Sequence, residues 1–563
     1  YDHKAMGITA RGAWVSVQRH FREQGIDVQE QDFTVVGIGD MAGDVFGNGM
    51  LLSHHICLVA AFNHRHIFID PDPDAATSFR ERQRLFKKKG SAWSDYDSSL
   101  ISAGGGVFER SAKSIAISAE MKARFAIDKD RLTPNQLTNA LLKSPVDLIW
   151  NGGIGTYVKS SEESHGEVGD KANDALRVDA DELRCKVIGE GGNLGLTQLA
   201  RIEFGLCGGI SLTDFIDNSA GVDCSDHEVN IKILLNQQQL EGKLSLKRRN
   251  SLLEAMTEEV AELVLDNNYS QVQAIGVART EVAERHKEYS DLIHYLENHA
   301  GLNRSLEFLP SEDELEERAA RQQYLTRPEL AVLTSYMKLH LKASLTTVDY
   351  IDDPFLEPFL FNAFPTKLRR GYRDAILKHP LRREIIASQL ANSLVNLLGP
   401  SFVYRMVDST GASLADVVRA ALIVIDIYNI ERYWSEVEAL DYQVNSELQN
   451  EMMSRLIRLV RRSTRWLLRN RRSKIDFVAE REFFSEGIRR YKLMLPGKLP
   501  PDYSSMFTDK LQHLLDQGAP ESLARSVCKC DFLFPATSFV EISDSTGEQL
   551  NNIVEIYFAI GEK

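Results

Sequence analysis

Cysteine, positive charge in excess and long apolar runs are what this 563-residue sequence has least of. Its six cysteines, Cys57, Cys185, Cys207, Cys224, Cys528 and Cys530, are scattered along the chain. That excludes a disulfide framework and points to a reducing, cytoplasmic setting. Cys528 and Cys530 have no second Cys/His pair nearby, so two thiols in a strand are expected there rather than a metal site. The formal net charge of −14 excludes a dedicated nucleic-acid binder. The longest apolar runs, such as Ala420 to Val424, fall far short of the roughly 18 residues that would span a bilayer. With 16 prolines and 36 glycines the chain is neither collagen-like nor of low complexity, and 43% hydrophobic residues are enough for large cores. At about 150 residues per domain, the length predicts three or four domains.

The chain opens at Tyr1 with YDHKAMGITARG, which carries no basic-then-apolar leader pattern, and finishes on the apolar NNIVEIYFAIGEK. Both ends are expected to lie inside a longer polypeptide.

The texture changes near residue 245. Before it, short β-branched runs alternate with helical patterns, and glycine is dense. Strands are predicted over Phe33 to Ile38, Ile56 to Phe62, His66 to Ile69, Leu100 to Ser102, Val146 to Trp150 and Cys185 to Ile188. Thr133-Pro134-Asn135-Gln136 has a cap residue, proline at the first helical position and glutamine at the capping-box position. Strands alternating with helices predict a parallel α/β sheet. Beyond residue 245 the pattern is helical, with helix starts at Thr326-Arg327-Pro328-Glu329 and Ser413-Leu414-Ala415-Asp416. A short β-prone segment is expected near Cys528 to Ile542, and no repeat of fixed period is present.

Val35 to Asp44, VVGIGDMAGD, follows the first predicted strand and contains Gly37-x-Gly39-x-x-Ala42. This is the dinucleotide-binding spacing. Gly37 would permit the tight turn, Gly39 the approach of a pyrophosphate, and Ala42 close helix–strand packing, with Asp40 and Met41 between them. A glycine-rich turn formed for steric reasons alone is the competing reading. The second predicted strand ends at Asn63, about 20 residues beyond Ala42, where a ribose-binding acid is expected. Asn63 can still hydrogen-bond a ribose hydroxyl, but it lacks the carboxylate that repels a 2′-phosphate. Asp70, after the next apolar run, is the candidate source of that charge. Two further loops, Asn151-Gly152-Gly153-Ile154-Gly155 and Glu190-Gly191-Gly192-Asn193, follow later strands, and ligands bind at strand carboxyl ends in such sheets.

These residues carry a family resemblance. Val187 to Thr197, VIGEGGNLGLT, resembles the "AEGAN…PTT" signature of glutamate dehydrogenases, and Asn218 to Asn230, NSAGVDCSDHEVN, is similar to their "NAGGV…S..E…N" segment. Gly7 to Gly12, GITARG, resembles the family's "ATG.G" element. The long helical remainder points to the large bacterial NAD-specific subgroup, and the resemblance covers essentially the whole chain. It implies an α/β Rossmann-type doubly wound sheet followed by a mainly α-helical C-terminal domain. Residues 1–30 would lead in from a substrate domain, 31–205 bind NAD, 206–245 return to the substrate cleft, and 246–563 form the helical domain.

The resemblance further implies oxidative deamination of L-glutamate to 2-oxoglutarate and ammonium by a homo-oligomer, with hydride passing to NAD. Gly37, Gly39, Asp40, Met41, Ala42, Asn63, Asn151, Gly152 and Asn193 would contact the cofactor, and Thr9 and Ser225 the substrate. The departures are Asn63 in place of the ribose acid, and Gly192 and Leu194-Gly195 within the "GAN.P" pattern. The family's catalytic lysine and aspartate lie in a glycine-rich domain upstream of the cofactor domain and match nothing here, so the chain alone is expected to bind NAD without turning over glutamate. A dehydrogenase of another amino acid, such as leucine or valine, and a non-catalytic dinucleotide-binding scaffold are the alternatives.

Several clusters read as ordinary structure. His54, His55, His64 and His66 lack ligand-spaced partners, and Asp70, Asp72 and Asp74 alternate with prolines in what reads as an acidic turn. His227-Glu228 resembles an acid/base pair, but the nearby role goes to Ser225. Arg455, Arg458, Arg461, Arg462, Arg465, Arg469, Arg471 and Arg472 interleave with Leu456, Leu459, Val460, Trp466 and Leu467, as expected of an amphipathic scaffold helix among acidic neighbours. No metal, membrane or nucleic-acid partner is expected.

Overall fold

The β-branched run Phe33–Ile38 forms strand β1, and its residues alternate between two cores. Val36 and Ile38 face one apolar cluster, Phe33 and Val35 the other. In this computed structural model, which describes residues 6–471 and 475–561, β1 is at the centre of a six-stranded sheet. The other strands are β2 (Ile56–Phe62), β3 (His66–Ile69), β4 (Gly106–Glu109), β5 (Leu148–Asn151) and β6 (Val187–Glu190), in the order β6-β5-β1-β2-β3-β4. β2 and β5 flank β1 in parallel, and β6 continues parallel to β5. Being covered on both faces, these strands read as near-continuous apolar runs. Ile149 and Ile188 enter the first cluster, whereas Leu148, Trp150 and Val187 enter the second.

Helix α1 (Ile8–Arg22) covers the second face with Ala10, Ala13, Trp14, Val17 and Phe21. On the other face lies the helix Pro134–Leu142, burying Leu137, Leu141 and Leu142. It starts with the expected reciprocal cap: the Gln136 amide donates to Thr133 Oγ1 and the Thr133 amide to Gln136 Oε1. The other helices around the sheet include α2 (Asp44–Gly49), α3 (Ala75–Lys87), α4 (Ser219–Leu240) and α5 (Thr257–Glu281), of which α4 and α5 pack on α1 and on each other.

Three expectations need correction. The sheet is mixed, because β2–β3 and β3–β4 are antiparallel; an apolar run reveals a strand but not its direction. Leu100 to Ser102 is not a strand: Ser98–Leu100 form a 3-10 turn, and the edge strand is β4, which follows Gly104-Gly105 and is only half-buried. Cys528 to Ile542 is helical, divided between Glu521–Leu533 and Ala536–Thr546. Its aromatic and β-branched content suggested strand, but Leu523, Ala524, Val527, Cys528 and Phe532 recur at helical spacing and are buried.

The chain divides into two compact units. One holds residues up to 286 together with 301–336 and 359–385, including the sheet. The other holds 287–300, 337–358 and 386–563 and is helical. In the latter, α6 (Leu414–Ile427) is buried from Val417 to Ile425, capped by Ser413, and packed against α7 (Ser446–Asn470) and α8 (Phe477–Met494). Helix α7 buries Leu448, Met452, Leu456, Leu459, Val460 and Leu467 and puts its arginines on the other face. Several are engaged inside the unit: Arg455 bonds Asp531, Arg465 and Arg469 bond Ser409, and Arg471 bonds Glu480 and Glu541. Arg472 lies outside the described residues, as do residues 1–5 of the leading segment.

Candidate functional site

The carboxyl ends of β1, β2, β5 and β6 lie side by side, and the chain leaves β1 toward β2 on one side and reaches β5 later on the other. A crevice opens at such a switch in strand order. Gly39, just past β1, has φ 139°, a conformation that disfavours any side chain. Its amide donates to the Phe62 carbonyl at 2.8 Å, and its carbonyl accepts Trp93 Nε1 at 3.0 Å. A Cβ on Gly39 would lie 2.8 Å from Phe46, and Gly37 and Gly152 approach the same residue. The turn therefore brings the start of α2 against the ends of β1 and β5.

Ala42 does not serve helix–strand packing. It is exposed and precedes α2, while Gly49 of that helix packs on the Trp150 indole. Met41 is buried in the core, so only its backbone is available to a ligand.

The turn is braced by Asp40. One carboxylate oxygen accepts the amides of Ala42 and Gly43 at 3.0 and 3.1 Å, and the other accepts Asn63 Nδ2 at 2.7 Å. Asn63 Oδ1 in turn accepts the amides of Arg65 and His66, both at 2.8 Å, closing the β2–β3 turn. Asp70 cannot supply charge here. Because β3 runs antiparallel, Asp70 follows its far end, where its amide meets Val59 in mid-β2 and its carboxylate accepts Ser102.

The loops after β5 and β6 are joined. Asn151, fully buried, uses its carbonyl to accept the Gly192 amide at 2.8 Å, and its side-chain oxygen faces the Gly153 amide at 3.4 Å. A Cβ at Gly192 would collide with the Gly153 carbonyl. Asn193 Oδ1 accepts Asn218 Nδ2, from the residue just before α4. On α4, Gly221 lies against Thr9 of α1, and Ser225 Oγ donates back to the Gly221 carbonyl at 3.3 Å. The predicted substrate residues Thr9 and Ser225 thus flank one glycine.

A buried charge cluster behind the β6 loop was not foreseen from the sequence. Glu190, the last residue of β6, accepts Arg201 Nε and Nη2 at 2.7 and 3.0 Å, and Arg201 also meets Asp214 at 3.3 Å. Asp214 accepts the Leu194 amide at 2.7 Å and Asp217 the Glu190 amide at 2.9 Å. Burial opposes the charge on Arg201, but Glu190 and Asp214 outweigh it and hold the guanidinium above its usual range. Burial, with the charge on Glu190, pushes the Asp217 carboxyl up to about 8 against the hydrogen bond from the Glu190 amide. The one signal available was an acid at the end of an apolar strand.

The other clusters have structural partners. His55 bonds Asp32, His66 bonds Glu109, His54 lies tilted against the Phe79 ring, and Asp74 caps α3. His227 meets the Ala363 carbonyl, and Glu228 pairs with Lys232. Among the described residues no group of three or more His, Cys, Asp or Glu could hold a metal ion, and no helix is long and apolar enough to cross a membrane.

Residues 1–278 match the family model described as bacterial NAD-glutamate dehydrogenase, catalytic domain, and residues 322–563 that described as glutamate dehydrogenase, C-terminal. The whole chain is 55% identical to a protein of Pseudomonas aeruginosa, 51% to one of Halomonas elongata and 44% to one of Mycobacterium tuberculosis, each named NAD-specific glutamate dehydrogenase. It spans 35% of the length of each. The chain belongs to the bacterial NAD-glutamate dehydrogenase family.

Proposed function

We propose that the chain supplies the NAD-binding part and helical tail of an enzyme that oxidatively deaminates L-glutamate to 2-oxoglutarate and ammonium. In this reading residues 31–205 are a Rossmann-type domain, 1–30 lead into it, 206–245 return to the substrate cleft, and 246–563 are helical. In this reading the enzyme is a cytoplasmic homo-oligomer, and the six cysteines of this chain are free. The observation that carries the reading is the convergence of the Gly39, Gly152 and Gly192 loops at adjacent strand ends, packed so closely that a Cβ at Gly39 would meet the Phe46 side chain and one at Gly192 the Gly153 carbonyl.

Gly37, Gly39 and Ala42 would offer backbone to the pyrophosphate, Asp40 and Asn63 would face the adenosine ribose, and Asn151, Gly152 and Asn193 the nicotinamide side. Bound NAD supplies the hydride acceptor. The chain's own work is to orient that ring and to hold the substrate. Ser225 Oγ, now spent on the Gly221 carbonyl, would turn its proton to the side-chain carboxylate of glutamate, beside Thr9. The lysine that polarises the 2-oxo group and the aspartate that relays protons are assigned to residues outside these 563.

The test is turnover. The complete polypeptide should reduce NAD with glutamate and not with leucine, and Ser225→Ala should raise KM for glutamate about tenfold with little change in kcat, as loss of a binding contact does. The 563-residue chain alone should give no steady NADH production; turnover by it, or equal turnover with leucine, would overturn the reading.

A further inference from the structure

The helical unit has a cavity of about 410 Å³ with no part in the site above. It lies between α7, the helices Pro501–Asp516 and Glu521–Leu533 with the turn after the latter, and the helix Leu550–Gly561. Its size is within the roughly 300–1,000 Å³ typical of small-molecule pockets. Two kinds of wall meet in it. One is aromatic: Tyr503 stands 6.1 Å from both Phe532 and Phe558, and Tyr557 5.3 Å from Phe558. Tyr503 and Tyr557 keep 40% and 43% of their surface open, an unusual exposure for rings sharing a hollow.

The other wall is cationic. Arg458 and Arg462 stand one turn apart on α7, with Lys510 nearby. The lining's single carboxylate, Asp531, is occupied by Arg455 at 2.6 Å and Lys510 at 2.7 Å. Among the described residues neither Arg458 nor Arg462 forms an ion pair with a carboxylate. The lining keeps a positive surplus in a chain whose net charge is −14. The Arg462 guanidinium carbon stacks 3.4 Å from the Phe534 ring centre, which engages the face of the group and leaves its in-plane N–H donors free to fork an anion.

We infer that this cavity binds a small planar aromatic molecule carrying a phosphate. The ring would lie among Tyr503, Tyr557 and Phe532, and the phosphate between Arg458 and Arg462. Two arginine forks match a dianionic phosphate in charge and geometry, and the open rings supply stacking faces of low entropic cost.

The fluorescent probe 1-naphthyl phosphate tests this on the full chain, with NAD saturating so that the dinucleotide loops are occupied. One saturable site is expected, weakening as salt is raised. The double variant Arg458→Met/Arg462→Met should lose at least tenfold in affinity with an unchanged melting temperature, and Arg462→Lys should lose several-fold because it keeps the charge but not the fork. 1-Naphthol and inorganic phosphate should each compete at least tenfold less well than the joined molecule. The proposal is overturned if the probe does not saturate, if the double variant binds it as the native chain does, or if phosphate alone competes equally. It is likewise overturned if the substitutions change only oligomeric mass, which would make the hollow a contact between copies of the chain.

Discussion

Asn63 Nδ2 donates to Asp40 Oδ2 at 2.7 Å, tying the carboxyl end of β2 to the glycine turn after β1. A carboxylate therefore stands beside Asn63, the residue proposed to face the ribose. Asp40 would repel a 2′-phosphate and explain a preference for NAD without a charge at position 63. Asp40→Asn should narrow the ratio of NADP to NAD dissociation constants at least tenfold, about 1.4 kcal/mol. Equilibrium titration of both dinucleotides checks it. Asn63→Asp would set two carboxylates against each other across the same contact and should weaken both cofactors.

Arg201 compensates Glu190 behind the loop that carries Asn193. Arg201→Met would leave a buried carboxylate unpaired and should destabilise the first unit by about 3–5 kcal/mol. Chemical denaturation measures it. Replacing both residues by apolar ones should cost less than the single change, because the fully buried Glu190 carboxylate goes with its partner and only Asp214, nearer the surface, loses a cation.

Asp217 should make stability fall as pH rises. Its carboxyl is held up to about 8 in the folded chain, against the 3.8 of an ordinary aspartate. Below the lower value both states are protonated. Between the two the folded state binds the extra proton, so stability declines as pH rises and levels off above about 8. Asp217→Asn, which still accepts the Glu190 amide, should remove that slope. Melting temperatures of variant and native chain should diverge from pH 4 to 8, the variant gaining; parallel curves would contradict the assignment.

Thr133 and Gln136 cap each other at the start of the helix beneath β1 and β5. Thr133→Ala should cost about 1 kcal/mol and Gln136→Ala less. Urea unfolding of the two variants would rank them.

The first three strands and the capping box were legible because each is a local pattern: a β-branched run bounded by turn residues, or a cap with its partner three positions on. Strand direction was not, since a run such as His66–Ile69 reads the same either way. Half-exposed β4 has too little apolar content to stand out after Gly104-Gly105. The glycine loops at residues 37, 152 and 192 were visible one by one, whereas their union through Asn151 is a tertiary fact. The Glu190–Arg201 pair hides for the same reason, as eleven residues separate two charges that a sequence presents as ordinary surface groups. The stretch from Cys528 misled because composition suited a strand while spacing suited a helix.

Titration of NAD into the full chain, native and Gly192→Val, tests the central claim most directly. A valine there would collide with the Gly153 carbonyl and force the two loops apart. The account predicts one saturable site in the native chain and at least a hundredfold weaker binding in the variant, with the helical unit's melting transition unchanged. Absence of saturable binding in the native chain, or equal affinity in the two proteins, would contradict it.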